Sequence, residues 1–517
     1  MPLKPKVLFL FYLGALSIVG MAVVYAATSR MGPGVSTDSA MILSTAENVL
    51  RGRGLVDYTG TELTQFPPLY SLILTLGSLL LRQDVFVVGW ILNVLVFGAL
   101  IWLTGLYLHD TFPDQPLFAF FGSFVVMSST SLIQISANIA SDPLFLLMVL
   151  FFLMSAAACL KSGNAKWAAI AGVLTVVACF QRYAGLALVI TGSLLVAYAH
   201  RARPRRALAS ALLFGVLTAA PIFGWGYLHN TPVNGTVFGG RLPAVPSLNF
   251  ATGAEKILYW FVPFRIISAV GPLILLAAIV LVCVLLVLTT GSARFLRTIS
   301  EPRLVPNIAF LLVYLAVLIF DISYYELKGI NTDRVHIIAL PSLLVLMSAI
   351  GVQVVDAART RFGDRMAYGL AILLFAAWAS YPISRSNEYV TASLKRGDVS
   401  SYNSINKGSI QRSALAEYLR SLDLRGRTVY SNGCDTTWFM LRTLALPVPT
   451  LVSTDRAAEL QQRFAGWPGS GTEGYVVWIN AEAHKTNYAT PAELEVVADL
   501  SQLYADQDAT VYDVKAR

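Results

Sequence analysis

From residue 7 to residue 27 the chain runs for 21 residues without a charged side chain. Comparable apolar runs recur near 67–81, 84–108, 117–135, 141–160, 167–180, 183–199, 206–228, 266–289, 305–323, 336–355 and 366–383. A helix rises about 1.5 Å per residue and the hydrocarbon layer is about 30 Å thick, so about 20 apolar residues cross it. Inside that layer water does not satisfy the backbone, and a spanning segment of this kind must be a helix. The recurrence therefore constrains the chain to a polytopic, all-α membrane bundle of about 11–12 spanning segments.

The charge distribution sharpens this. Only 13% of the 517 residues are charged and 56% are apolar, whereas a soluble chain carries about 25% and 45–50%. Residues 1–383 hold 24 Lys+Arg against 15 Asp+Glu, while residues 384–517 hold 14 against 15. A basic membrane domain (1–383) thus precedes a normally charged tail (384–517). The excess sits in short loops: Arg201, Arg203, Arg205 and Arg206; Arg294, Arg297 and Arg303; Arg359, Arg361 and Arg365. Positive-inside bias makes those loops cytoplasmic. No basic run is interleaved with aromatics, so nucleic acid is not an expected partner. Cys159, Cys179 and Cys283 lie in apolar runs and Cys434 stands alone, and the five histidines have no ligand spacing. Neither a disulfide framework nor a metal cluster is spelled out.

Lys4 and Lys6 precede the first run, which is too long for the apolar core of a signal peptide. It reads as an uncleaved first helix starting in the cytoplasm, which makes 28–66 an extracytoplasmic loop. Twelve crossings return the tail to the cytoplasm and eleven place it outside. The segment expected not to cross is 67–81, short and opening with Pro67-Pro68. The alternative merges 167–180 with 183–199 into one helix, putting Lys161 and Lys166 outside. The favoured topology leaves the acidic loop His109–Pro116 in the cytoplasm. The tail reads as a small soluble α/β domain: a helix over Ser413–Leu422, a strand over Arg427–Tyr430, an Asn-Gly turn, a helix, a strand over Tyr475–Ile479, and closing segments around Ala492–Leu503 and Thr510–Val514.

Four charged residues at the outer face invite chemistry. Asp38 stands just before a helical run that passes Glu47 and ends at Arg51-Gly52-Arg53-Gly54. It suits a cap or dipole partner as well as a base. Asp142, in Ser141-Asp142-Pro143, suits a helix start as well as a functional acid. Arg182 interrupts an apolar stretch and needs an anionic partner, water or the headgroup layer. Arg334, in Thr332-Asp333-Arg334-Val335-His336, pairs locally with Asp333 or serves a substrate. Carboxylates beside arginines suit a reaction that needs a base and a phosphate clamp.

The order of short motifs carries a resemblance: Asp38 in the first outer loop, Ala-Glu-Asn-Val-Leu-Arg-Gly-Arg-Gly (46–54), Pro-Pro-Leu-Tyr (67–70), Ser-Asp-Pro-Leu-Phe (141–145), Gln-Arg-Tyr-Ala-Gly-Leu (181–186) and Asp-Arg-Val-His (333–336). Over residues 5–383 the chain resembles the GT-C superfamily of polyprenyl-phosphate-sugar glycosyltransferases. It is similar to the bacterial, family 39-like branch that includes protein O-mannosyltransferases and the lipid A aminoarabinose transferase. The resemblance implies that Asp38 is the general base. Relatives carry Asp-Glu there, and this chain has Asp38-Ser39. It also implies that Arg334, with Val335 in place of the family's tyrosine, and Arg182 hold the lipid phosphate. Asp142, Tyr70 and Glu47 complete the expected substrate contacts. The partners implied are a polyprenyl-phosphate-linked sugar and an envelope lipid, polysaccharide or protein acceptor, with transfer by inversion in the bacterial inner membrane. No cofactor or metal is required, because arginine neutralises a single departing phosphate. The competing class is a lipid or polysaccharide transporter, which predicts inverted repeats and charges deep in several helices.

Overall fold

A computed structural model describes residues 5–239, 250–261, 277, 284, 300–324, 333–399, 405–469, 472–482 and 487–517. The chain divides into two compact units. One comprises Met1–Ala27, Thr64–Leu69 and Ile91–Leu394; the other comprises Thr28–Leu63, Tyr70–Trp90 and Lys395–Arg517.

In chain order the helices are α1 (Pro5–Thr28), α2 (Thr37–Leu50), α3 (Leu69–Leu81), α4 (Val85–Thr111), α5 (Pro116–Ser128), α6 (Thr130–Ser136), α7 (Asp142–Ser162), α8 (Ala165–Gln181), α9 (Leu186–Ala199), α10 (Pro204–Trp225), α11 (Phe250–Phe261), α12 (Val305–Tyr324), α13 (Leu340–Phe362) and α14 (Asp364–Arg396). Among the described residues 6 helices are long and apolar enough to cross a bilayer, or 7 if α5 and α6, bent by 53° at Ser129, form one broken span. Apart from residues 277 and 284, the run at 266–289 lies outside the described residues, as do Arg294 and Arg297. α8, α9 and α12 are shorter apolar helices of the same bundle.

Small residues set how closely α1 and α4 approach. A Cβ on Gly20 would come 2.2 Å from Ile101, one on Gly98 2.7 Å from Met21, and one on Gly105 2.4 Å from Leu13. Glycine at these positions gives the dispersion contact that replaces hydrophobic drive between helices in lipid. Helix ends follow local chemistry. Ser129 caps α6, Asn164 caps α8, and Gly163 ends α7 in the left-handed region.

The join between α8 and α9 overturns the merged-helix alternative. Arg182 is extended at φ −153° and ψ 142°, and Tyr183–Gly185 forms a turn of 3₁₀-helix. A Cβ on Gly185 would lie 2.6 Å from the Cys179 nitrogen and 2.7 Å from the Ala178 carbonyl carbon. Only a glycine lets the chain fold back so tightly, and α9 then packs along α8.

Loops at one end of this unit are tied together by polar contacts. Lys161 pairs with Asp110 at 3.6 Å, Arg303 donates to the Thr111 carbonyl at 2.9 Å, and Gln115 donates to Asp356 at 2.9 Å. Arg359 bridges Asp356 and Asp364, and Tyr368 donates to Gln115. Phe9, near the start of α1, packs at a tilt against the His109 ring. Asp110 of the acidic loop thus meets a lysine at the basic end of the bundle.

The second unit joins the first outer loop to the tail. α3 has 13 residues, about 20 Å of helix, too short for a perpendicular span. It rests on α2 through Ser71 and Thr75, which donate to the carbonyls of Ile42 and Ala46. The tail holds β1 (Thr428–Ser431), β2 (Ala445–Pro447), β3 (Glu473–Ile479), β4 (Ala498–Ala505) and β5 (Ala509–Ala516), with α15 (Ala414–Ser421), α16 (Cys434–Leu441) and α17 (Arg456–Arg463). The sheet order is β2-β1-β3-β5-β4, parallel over the first three and antiparallel thereafter. Both faces are covered: Val476 and Trp478 point into one core with Leu460, and Val477 and Ile479 into another with Leu415 and Leu419. α14 continues past residue 383 to Arg396, so the change in composition there falls inside a helix rather than at a fold boundary. The tail is stitched to the first loop. Asn406 donates to the carbonyls of Met31 and Pro33, the Ile405 nitrogen to Val35, and the Ala445 nitrogen to Tyr58.

Candidate active site

Three residues far apart in sequence meet at the end of the bundle opposite the basic loops. Asp142 opens α7, where Pro143 occupies the first turn without wasting a donor. Its carboxylate is 2% exposed and receives Arg182 Nη1 on Oδ1 at 3.0 Å and Arg334 Nη2 on Oδ2 at 2.9 Å, with Arg334 Nε at 3.2 Å. The guanidiniums are 21% and 28% exposed. The break after Gln181 aims Arg182 at this point, and Ser141 Oγ accepts from the same Nη1 at 3.0 Å. Gln181 secures the loop from below by donating to the Ser141 carbonyl at 3.1 Å.

Arg334 thus reaches across the bundle to Asp142. Its neighbour Asp333 accepts from Ser131 of α6, and Tyr314 of α12 donates to the Val335 carbonyl at 2.8 Å. A single buried anion fixing two cations leaves the cluster with a net charge of +1. Such a cluster is a ready oxyanion site, because guanidinium forks are already oriented by the carboxylate. Sequence reading singled out all three residues but not their convergence. Ser141 and Gln181 entered only as members of the quoted motifs, and Ser131, in an uncharged stretch, carried no signal.

Asp38, Glu47 and Tyr70 belong to the second unit. Ser36, not Asp38, caps α2: its hydroxyl takes the Ser39 amide and the Ser39 hydroxyl takes the Ser36 amide at 3.0 Å. Ser39 therefore closes a capping box with Ser36. Asp38 sits in the first turn of α2, half-buried. Thr37 beside it donates to Asp435 of α16 at 2.6 Å. Glu47 lies nine residues on, about 14 Å along the axis, paired with Arg51 at 2.7 Å. Burial pushes its carboxyl up, opposed by Arg51. Tyr70 is 1% exposed and fills the core of this unit. Among the described residues no three His, Cys, Asp or Glu side chains converge.

The fold is shared with several solved structures of low sequence identity. The chain superposes over 96% of its length on 97% of ArnT from Cupriavidus metallidurans bound to undecaprenyl phosphate, with TM-score 0.61 and 14% identity. Its likeness to the Archaeoglobus fulgidus oligosaccharyltransferase in the apo form covers 96% of this chain and 74% of that one, with TM-score 0.54 and 11% identity. The archaeal oligosaccharyltransferase AglB from the same organism, in complex with an inhibitory peptide and a dolichol-phosphate, gives 98%, 74%, 0.51 and 12%. No protein-family model and no curated protein matches the sequence. The shared fold and the apolar helices make the chain a multi-pass membrane protein.

Proposed function

We propose that this protein is an inverting glycosyltransferase that moves a sugar from a polyprenyl-phosphate donor to an acceptor hydroxyl on the extracytoplasmic face. The observation that carries the reading is the Arg182–Asp142–Arg334 cluster at the end of the bundle away from the basic loops. It stands in a fold shared with a protein solved with undecaprenyl phosphate and another solved with dolichol-phosphate.

In this mechanism Arg334 and Arg182 hold the donor phosphate and stabilise the charge that grows on it as the glycosidic C–O bond breaks. Asp142 acts through them as a positioning residue. Asp38 takes the proton of the acceptor hydroxyl as its oxygen attacks the anomeric carbon from the opposite side. One phosphate leaves, not a nucleotide diphosphate, so two arginines supply the neutralisation and no metal is needed. Direct displacement inverts the anomeric centre, since no second carboxylate is assigned as a nucleophile. The acceptor is an envelope lipid, polysaccharide or protein. The membrane is the bacterial inner membrane, with the basic end and N-terminus in the cytoplasm and the tail outside, in keeping with positive-inside bias.

The test is sugar transfer by the purified protein in liposomes with a panel of radiolabelled polyprenyl-phosphate sugars. Wild type is expected to release free polyprenyl phosphate equally with and without EDTA. Folded Asp38→Asn and Arg334→Ala are each expected to lose at least about a hundredfold in rate. Donor consumption by Asp38→Asn at the wild-type rate overturns the base. Movement of intact donor across the bilayer without sugar transfer makes the protein a transporter.

A further inference from the structure

A second polar site lies one layer away from the cluster, in a pocket lined by Ser129, Ser131, Trp260, Trp378, Pro382 and Arg385, with apolar walls from Val125, Phe261 and Leu340. Arg385 of α14 sits over the Tyr259 ring at 3.9 Å and donates through Nη1 to the Tyr259 carbonyl at 3.0 Å and to the Tyr381 hydroxyl at 3.3 Å. Gripping the last carbonyls of α11 does not explain a full charge at this place. Tyr381 already donates to the Tyr259 carbonyl at 2.7 Å and Trp378 to the Phe261 carbonyl at 2.7 Å. Among the described residues no carboxylate lines the pocket and Arg385 makes no ion pair. The Trp260 indole N–H is buried in the same wall, with no acceptor among the described residues. A half-buried guanidinium lining a cavity, with an orphaned donor buried in the same wall, is costly unless an anion fills the space.

We propose that this pocket binds an oxyanion, a phosphate group held by the open edge of Arg385 and by Trp260 N–H, with the aromatic walls receiving the apolar part of the molecule that carries it. The phosphate is that of a membrane amphiphile or a free anion; both present the same oxygens. Ser131 lines the pocket and also bonds Asp333, the neighbour of Arg334. The inference stands whether or not the chain transfers sugar.

The experiment is saturation binding of radiolabelled decyl phosphate to the full-length protein in neutral detergent, with decanol and inorganic phosphate as competitors. Arg385→Gln is expected to weaken one class of sites at least about tenfold, the cost of a lost charge-assisted hydrogen bond. Arg385→Lys should retain part of it, keeping the charge without the fork. Trp260→Phe, which keeps an aromatic ring, should weaken it about threefold. If phosphate competes as well as unlabelled decyl phosphate, the occupant is a free anion. If only the amphiphile competes, it is a lipid headgroup. Unchanged binding in Arg385→Gln and Trp260→Phe, both melting at the wild-type temperature, overturns the site, as does decanol competing as well as decyl phosphate. Because Arg182 and Arg334 are intact in these variants, loss of this class with sugar transfer retained separates the two proposals.

Discussion

Asp142 bears an unusual load for one carboxylate, since two guanidiniums take their orientation from it. Removing one partner of a buried ion pair costs about 3–5 kcal/mol, because the remaining charges stay desolvated. Asp142→Asn is therefore expected to lower the melting temperature in detergent. It should also slow sugar transfer at least about tenfold by loosening the phosphate clamp. A variant that melts and turns over like the wild type would remove Asp142 from the site. The three residues were legible one at a time, because charge in an apolar context is conspicuous. Their pairing was not, since the partners are 40 and 192 positions from Asp142 and sequence offered Asp333 next door. The sequence left Asp38 open as a cap, a dipole partner or a base, and the structure makes Ser36 the cap with Asp38 in the first turn. Ser36 and Asp38 are both good caps, and only the backbone at Ser36, φ −95° and ψ 175°, decides between them.

At the scale of elements, two short features make separable predictions. The fold-back at Gly185 leaves no room for a Cβ beside Cys179. Gly185→Ala should destabilise the bundle by about 1–3 kcal/mol through backbone displacement, read as a lower melting temperature. It should also pull Arg182 from Asp142, read as weaker donor binding; an unaltered melt would show that the turn relaxes freely. In the tail, Glu493 closes a capping box with Thr490 and accepts both Nε and Nη2 of Arg456 at 2.6 and 2.9 Å. The Arg456 contact, ahead of the cap bonds, holds its carboxyl down at about 2. A lowered carboxyl stabilises the fold when ionised. That contribution is complete above the ordinary range near 4.5 and is lost as pH falls toward 2. The stability gap between wild type and Glu493→Gln, followed by the tail's tryptophan fluorescence in urea, should shrink over that interval. A gap constant with pH would mean that the pair contributes through packing alone. Strands β1 and β3 and the helix capped by Ser413 were legible from period and turn residues. β2 was not, because three residues carry no period, and the bend at Ser129 was hidden inside an apolar run whose composition does not change.

For the whole molecule, the deciding feature is segregation along the bundle. Lys161 and Arg359 share one end with the acids that answer them and with Arg303 on the Thr111 carbonyl, while Asp142, Arg182 and Arg334 share the other. Sequence gave the bias of the basic loops. It gave no hint that His109–Pro116 belongs among them for a local electrostatic reason, because the partners of Asp110 and Gln115 come from α7 and α13. It also divided the chain in two at residue 383, whereas the compact unit containing the tail includes the first outer loop. A loop that borrows its hydrogen bonds from residues 405 to 445 has no local signature. Segregation also fixes how the protein must lie if positive-inside bias governs insertion. In a variant with the four cysteines replaced by alanine, single cysteines at Asn164 and Arg203 report the basic end, and one at Thr454 reports the tail. All three positions are exposed. A membrane-impermeant maleimide should label Thr454→Cys in right-side-out vesicles, and Asn164→Cys and Arg203→Cys only in inverted ones. The reverse pattern would put the arginine cluster on the cytoplasmic side. The donor sugar would then be met before its lipid crosses the membrane, and an extracytoplasmic transferase would be untenable.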